Sequence, residues 1–141
     1  SNGKAGQFFT PFCLCKMGAE VALNDVNVGK AIQDDEILTL HEPTVGAGGM
    51  VLAALDILFN KHHFNYTRNF YVDCGDIDKR CVHMTYLQLS LAGVPATVFH
   101  RDGLSLETWD IFYTPALLVQ WTRFRKHVAE SENYLQVLNQ K

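Results

Sequence analysis

The chain has 141 residues, 48% hydrophobic and 19% charged, a balance that suits one globular domain with a single core and leaves little room for two. A formal net charge of −3 argues against a surface that grips nucleic acid unaided, since such domains carry a basic excess. No apolar run reaches the roughly 18 residues that cross a bilayer, and the first residues lack the basic-then-apolar pattern of a secretion signal. The sequence therefore predicts a soluble, cytoplasmic protein with no membrane partner.

Taken in chain order, residues 11–24 follow a Thr-Pro start signal, with Leu14, Met17 and Val21 near helical spacing, and read as an N-terminal helix. A polar stretch through Asp34, Asp35 and Glu36 gives way to Ile37–His41, a short β-prone run that ends at Glu42 and Pro43. Thr44–Gly49 is a glycine-rich turn, and Met50–Asn60 is apolar enough for a helix packed on a sheet, so this stretch is one βα unit. After a loop at residues 62–69, Phe70–Val72 reads as a second strand running out into Asp73, Cys74, Gly75 and Asp76. Asp78 can cap the next helix, which carries Met84, Leu87 and Leu91 on one line and stops at Gly93 and Pro95.

A third strand is expected at Ala96–Phe99 and a fourth at Trp109–Tyr113. Pro115 opens a final helix in which Leu117, Trp121, Phe124 and Val128 form an amphipathic stripe, and Leu135 and Leu138 continue it beyond a polar break at Ser131. Strands alternating with helices imply an α/β fold with a parallel sheet of about four strands and right-handed crossovers. The expected organisation is one domain over residues 1–141, a helical segment at 3–36 followed by the α/β core at 37–141.

Cys13, Cys15, Cys74 and Cys81 make neither a CxxC pair nor a two-pair zinc framework, and they read as buried free thiols. His62 and His63 are adjacent and cannot face one site as an i, i+4 pair would, so no metal is expected.

In a parallel sheet, ligands bind beyond the carboxyl ends of the strands, where the strand order reverses. Three loops leave the sheet there. In Glu42–Gly49 the glycines let the backbone approach a ligand, and the helix start offers free N–H groups to an anionic or polar group. Asp76 stands where a carboxylate would accept from two ribose hydroxyls, and Asp102-Gly103-Leu104 is placed to touch a base. Each feature also has a bland reading, as a structural turn or a helix cap, and only their order and strand context join them. The turn lacks GxGxxG spacing, which counts against a nucleotide-dependent oxidoreductase, and no GK[ST] follows it, which excludes a P-loop.

Gly6-Gln7-Phe8-Phe9-Thr10-Pro11, then Glu42-Pro43-Thr44-Val45-Gly46-Ala47-Gly48-Gly49-Met50, then Asp76-Ile77-Asp78, resembles the N-6 adenine DNA methylases of type I restriction-modification systems and their mobile-element relatives. The resemblance runs from Gly6 to about Ser105, and its first stretch is the most specific part. It implies a Rossmann-like fold and S-adenosylmethionine as cofactor. On that pattern Phe9, Thr10 and Pro11 would lie against the methionine part, and Glu42, Thr44, Gly46 and Gly48 around its amino and carboxylate groups. Asp76 would hold the ribose, Ile77 would pack on the adenine, and Asp102 would reach the adenine amino group with Leu104 close by.

Members of that family carry an Asn or Asp, two prolines and an aromatic after the fourth strand, which accept from the target amine and stack on the flipped adenine. Here the matching segment reads Trp109-Asp110-Ile111-Phe112-Tyr113-Thr114-Pro115-Ala116, with no Asn and one proline. Tyr113 and Pro115 are the remaining catalytic candidates, and transfer loses much of its preorganised electrostatic help. The expectation is an adenine-N6 DNA methyltransferase or a domain of one, truncated or reduced, that meets DNA through a partner or a missing segment. The alternative is an inactive S-adenosylmethionine-binding module serving assembly, regulation or restriction evasion.

Overall fold

The computed structural model describes residues 10–139, with side chains as far as residue 133. Helix α1 (Phe12–Leu23) starts directly after Pro11, and α2 (Val28–Gln33) is capped by Asn27, whose side chain accepts from the Lys30 N–H at 2.9 Å. Strand β1 (Leu38–Glu42) leads through the glycine turn into α3 (Gly49–His62). The short α4 (Tyr66–Asn69) precedes β2 (Phe70–Asp76), and α5 (Lys79–Ala92) runs from its Asp78 cap to Gly93, which takes the left-handed conformation at φ 74°. Strands β3 (Ala96–Arg101) and β4 (Thr108–Tyr113) follow, then α6 (Pro115–Val119) and α7 (Trp121–Asn139). The helix expected after Pro115 is thus two helices, broken at Gln120, and α7 continues through Ser131 without a break.

The sheet is α/β, open and mixed, in the order β1-β2-β3-β4. Three strands are parallel as expected, with Leu38 beside Phe70 and Val72 beside Ala96. The fourth is not: β4 runs antiparallel to β3, with Thr97 beside Tyr113 and Arg101 beside Thr108. The connection explains the correction, because only residues 102–107 join the two strands, whereas a parallel crossover needs about a dozen residues or more. Nor does the strand order reverse among the described strands, so β1 is an edge.

Both faces of β2 are covered, and its residues are buried almost without interruption, as a central parallel strand requires. On one face Leu38, Leu40, Phe70, Val72, Cys74 and Val98 pack under α3 and α5. Fully burying one such Val, Leu or Phe side chain contributes about 1.5–3 kcal/mol. On the other face Tyr71 meets Leu117, Phe124 and Val128, stacked on the Phe124 ring at 6.3 Å. Its hydroxyl bonds Thr97 at 2.7 Å and Ser131 at 3.0 Å, and burial pushes the phenol up to about 12.

The stripe expected on the last helix is buried at Leu117, Phe124 and Val128, with Trp121 partly exposed. The other two stripes face outward. Helix α1 packs on α3 through Cys15 and Ala19 and exposes Leu14, Met17 and Val21, while α5 buries Val82, Thr85 and Leu89 and exposes Met84, Leu87 and Leu91. Small residues let helix axes approach closely: a Cβ at Gly18 would lie 2.7 Å from the Met50 Cε. Of the thiols, Cys15, Cys74 and Cys81 are buried as expected and Cys13 is exposed.

Among the described residues Arg101 is the most deeply buried charged side chain. Arg101 is 1% exposed, bonds Asp73 Oδ1 at 3.2 Å and lies over the Phe99 ring at 4.5 Å, and its Nε has no hydrogen-bond partner. Gly75 makes room for it, since a Cβ there would stand 3.0 Å from both that Nε and the Phe99 carbonyl oxygen. No helix among the described residues is long and apolar enough to cross a membrane.

Candidate functional site

Register places the ends of β1, β2 and β3 along one margin of the sheet, with Glu42 beside Cys74 and Asp76 beside His100. The loops that leave there are tied to one another. The Val45 N–H donates to the Gly75 carbonyl at 2.8 Å, and His100 Nε2 lies 3.0 Å from the Ile77 carbonyl oxygen. A Cβ at Gly103 would stand 3.4 Å from the Pro43 carbonyl oxygen, so the third loop rests on the first.

Asp76, almost fully buried, joins two of these loops: one oxygen accepts from the Gly46 N–H at 3.0 Å and the other from the Asp78 N–H at 2.8 Å. Each oxygen keeps a further lone pair. Gly46 and Gly48 take positive φ, 57° and 90°, which an L side chain rarely adopts. Helix α5 fixes this turn from behind, because Thr85 Oγ1 donates to the Gly46 carbonyl at 2.8 Å and Gln88 donates to the Ala47 carbonyl. At the front, Glu42 accepts from the Thr44 N–H at 3.1 Å and lies 3.3 Å from its hydroxyl.

A cavity of about 270 Å³ opens over this turn, lined by Thr10, Glu42, Thr44, Gly46 and the first residues of α3. A Cβ at Gly46 would project into open space. Thr10 reaches the cavity because the Cys15 thiol donates to its carbonyl at 3.7 Å, while Cys15 Sγ packs against Gly49, where a Cβ would lie 3.0 Å away. The start of α1 is thereby held against the start of α3. Cys15, Val45, Ala47, Gly49 and Met50 also line the cavity and were missed from sequence. Val45, Ala47 and Gly49 lie within the loop read from the sequence and Met50 follows it directly, whereas nothing local marks Cys15.

The other candidates lie around the cavity without lining it. Pro11 is exposed at the start of α1, and Gly48 sits behind the turn against Thr85. Ile77 and Leu104 project outward. Asp102 turns back on its own loop, accepting from the Leu104 N–H at 2.8 Å and the Ser105 N–H at 3.2 Å, and these backbone donors hold its carboxyl below the usual range. Phe9 lies outside the described residues, with most of the stretch that carries the resemblance at this end of the chain.

Tyr113 and Pro115 stand elsewhere. Because β4 runs back across the sheet, Tyr113 pairs with Thr97 near the amino end of β3, at the margin opposite the cavity. Its hydroxyl bonds Glu132, and burial followed by that carboxylate pushes the phenol up to about 12. Pro115 opens α6. The cavity can accept an ammonium or hydroxyl at Glu42 and receive an anionic group at the start of α3, and Asp76, outside its lining, keeps acceptor capacity for a hydroxyl. Among the described residues no three histidine, cysteine or acidic side chains are grouped to hold a metal. No protein-family model, curated protein or solved structure matches the chain.

Proposed function

We propose that this chain is a Rossmann-like core that holds S-adenosylmethionine, built like that of the N-6 adenine DNA methylases, with DNA contact and methyl transfer depending on a partner or further segment. The carrying observation is the cavity over Gly46, where a carboxylate acceptor and a helix start line one space across a turn whose Gly46 and Gly48 take positive φ. An amino acid moiety carries one group for each: the ammonium suits Glu42, and the carboxylate suits the N–H groups opening α3. At about 270 Å³ the cavity is smaller than the roughly 300–1,000 Å³ of pockets that enclose a whole ligand. It therefore takes the methionine end, and the nucleoside lies along the sheet margin past Asp76 and under Ile77.

The group supplies an electrophilic methyl when bound; the residues described here bind and orient it. The catalytic candidates Tyr113 and Pro115 stand at the opposite margin, so on this reading the acceptor pair that an adenine amine needs comes from a partner or further segment. Calorimetry with S-adenosylmethionine tests the reading. Binding should weaken at least about tenfold in Glu42→Gln, the loss of roughly one charge-assisted hydrogen bond, while the denaturation midpoint stays unchanged. Absence of binding in the unaltered chain sinks the proposal. Transfer of labelled methyl to adenine in DNA by this chain alone would instead make it a complete enzyme.

A further inference from the structure

Strand order lays the candidate site out in a line. The cavity over Gly46 stands past the end of β1, Asp76 at the end of β2, and His100 beside it on β3. Because β4 runs back across the sheet, its first residues share this margin with them, and they bring Trp109.

Trp109 is set apart from the rest of β4. Arg101 pairs with Thr108 and His100 with Asp110, so Trp109 is one residue more than β3 can match, a bulge. Bulges re-aim a side chain that regular alternation would send to the other face, and they are over-represented beside active sites. Here the indole packs against the His100 ring, 4.8 Å between centroids, and Nε2 of the same imidazole lies 3.0 Å from the Ile77 carbonyl oxygen. The imidazole thereby ties Trp109 to the loop that follows Asp76. Phe112 and Tyr113 pack their rings against side chains of α5 and α7, whereas Trp109 stays 49% exposed and Ile77 59%. Two large apolar residues thus remain exposed with one imidazole between them.

We propose, on the reading that S-adenosylmethionine is the ligand, that Trp109 is the wall on which its adenine stacks. Held by its amino acid end past β1 and by its ribose at the end of β2, the cofactor has its base at β3 and β4, where the indole stands. Every base has a π-face, and an indole offers a broad flat one to set against it. The adenine then covers apolar surface that the fold leaves in water. The same contact favours a ligand that carries an aromatic base over methionine alone.

The chain has two tryptophans, and Trp121 packs against Tyr113 at the opposite margin, so Trp121→Phe leaves Trp109 as the single indole reporter. S-adenosylmethionine should quench the emission of this variant with the Kd that calorimetry gives for the unaltered chain, and methionine, which lacks a base, should not. In calorimetry Trp109→Ala should bind S-adenosylmethionine at least about fivefold more weakly, the loss of one base–aromatic stack, and Trp109→Phe should recover most of that affinity. Three results each overturn the stacking wall while the cofactor reading stands: emission that ignores the bound cofactor, an affinity unchanged in Trp109→Ala, or a loss that Trp109→Phe does not recover. Absence of binding in the unaltered chain ends both.

Discussion

At the amino margin of the sheet Thr114 is fully buried, its hydroxyl donating to the Val94 carbonyl at 2.7 Å and accepting from the Ala96 N–H at 2.9 Å. At the carboxyl margin Glu42 and Asp102 bond the backbone of their own loops close to solvent, and Asp76, almost fully buried, bonds the backbone of two loops. The first arrangement consumes its polar groups and fixes one geometry. The second holds its loops and still has acceptor capacity to offer. Spare acceptor capacity therefore separates what can meet a ligand from what maintains this fold.

The largest effect should come from the packed side. Phe124→Ala removes a ring that is fully buried against Tyr71, Leu117 and Val128, and should cost about 3–5 kcal/mol in urea unfolding. Thr114→Val keeps the shape and leaves the Ala96 N–H and Val94 carbonyl without their partner, for about 1–3 kcal/mol. A loss below about 0.5 kcal/mol in the second would mean that water replaces the hydroxyl and that the two margins differ less than their burial suggests.

Smaller effects should follow pH in opposite senses at the two margins. Asp78 is drawn down to about 2 from 3.8, first by its Arg80 side-chain partner and then by the Arg80 N–H. A depressed carboxylate stabilises the fold above its ordinary value, and that contribution fades as pH falls from about 4 toward 2. Asp78→Asn keeps a capping oxygen and should flatten this acid limb of a urea-midpoint profile. Tyr71 and Tyr113 are raised to about 12 by burial, so their contribution is complete below pH 10 and fades as pH climbs through 12. Ultraviolet absorbance of the phenolates should show late titration; ionisation near pH 10 would place both rings in water.

The order of the strands and longer helices was legible because it rests on local chemistry: Pro11 and Pro115 before helices, the Asp78 cap, and glycines at 46, 48 and 93 with positive φ; the short α2, and α4 in the expected loop 62–69, were not read. Strand direction was not read, although the short 102–107 connection carries that information. The stripes on α1 and α5 misled because helical spacing marks an apolar face without saying what it meets, and small residues such as Cys15 and Ala19 packed instead. At the candidate site Glu42, Thr44 and Gly46 were readable from one loop, and Thr10 was named through the family resemblance. Cys15 was not, because its place beside Gly49 depends on a contact 34 positions away (49 − 15).

Gly75 and Arg101 carry a consequence for descent. The long guanidinium side chain lies in the space that a Cβ at position 75 would take, so neither position can change freely while the other stays. In relatives of this chain a larger residue at 75 should arrive with a shorter one at 101, and then Asp73, relieved of its buried cation, would keep the His41 ring nitrogen 3.2 Å away.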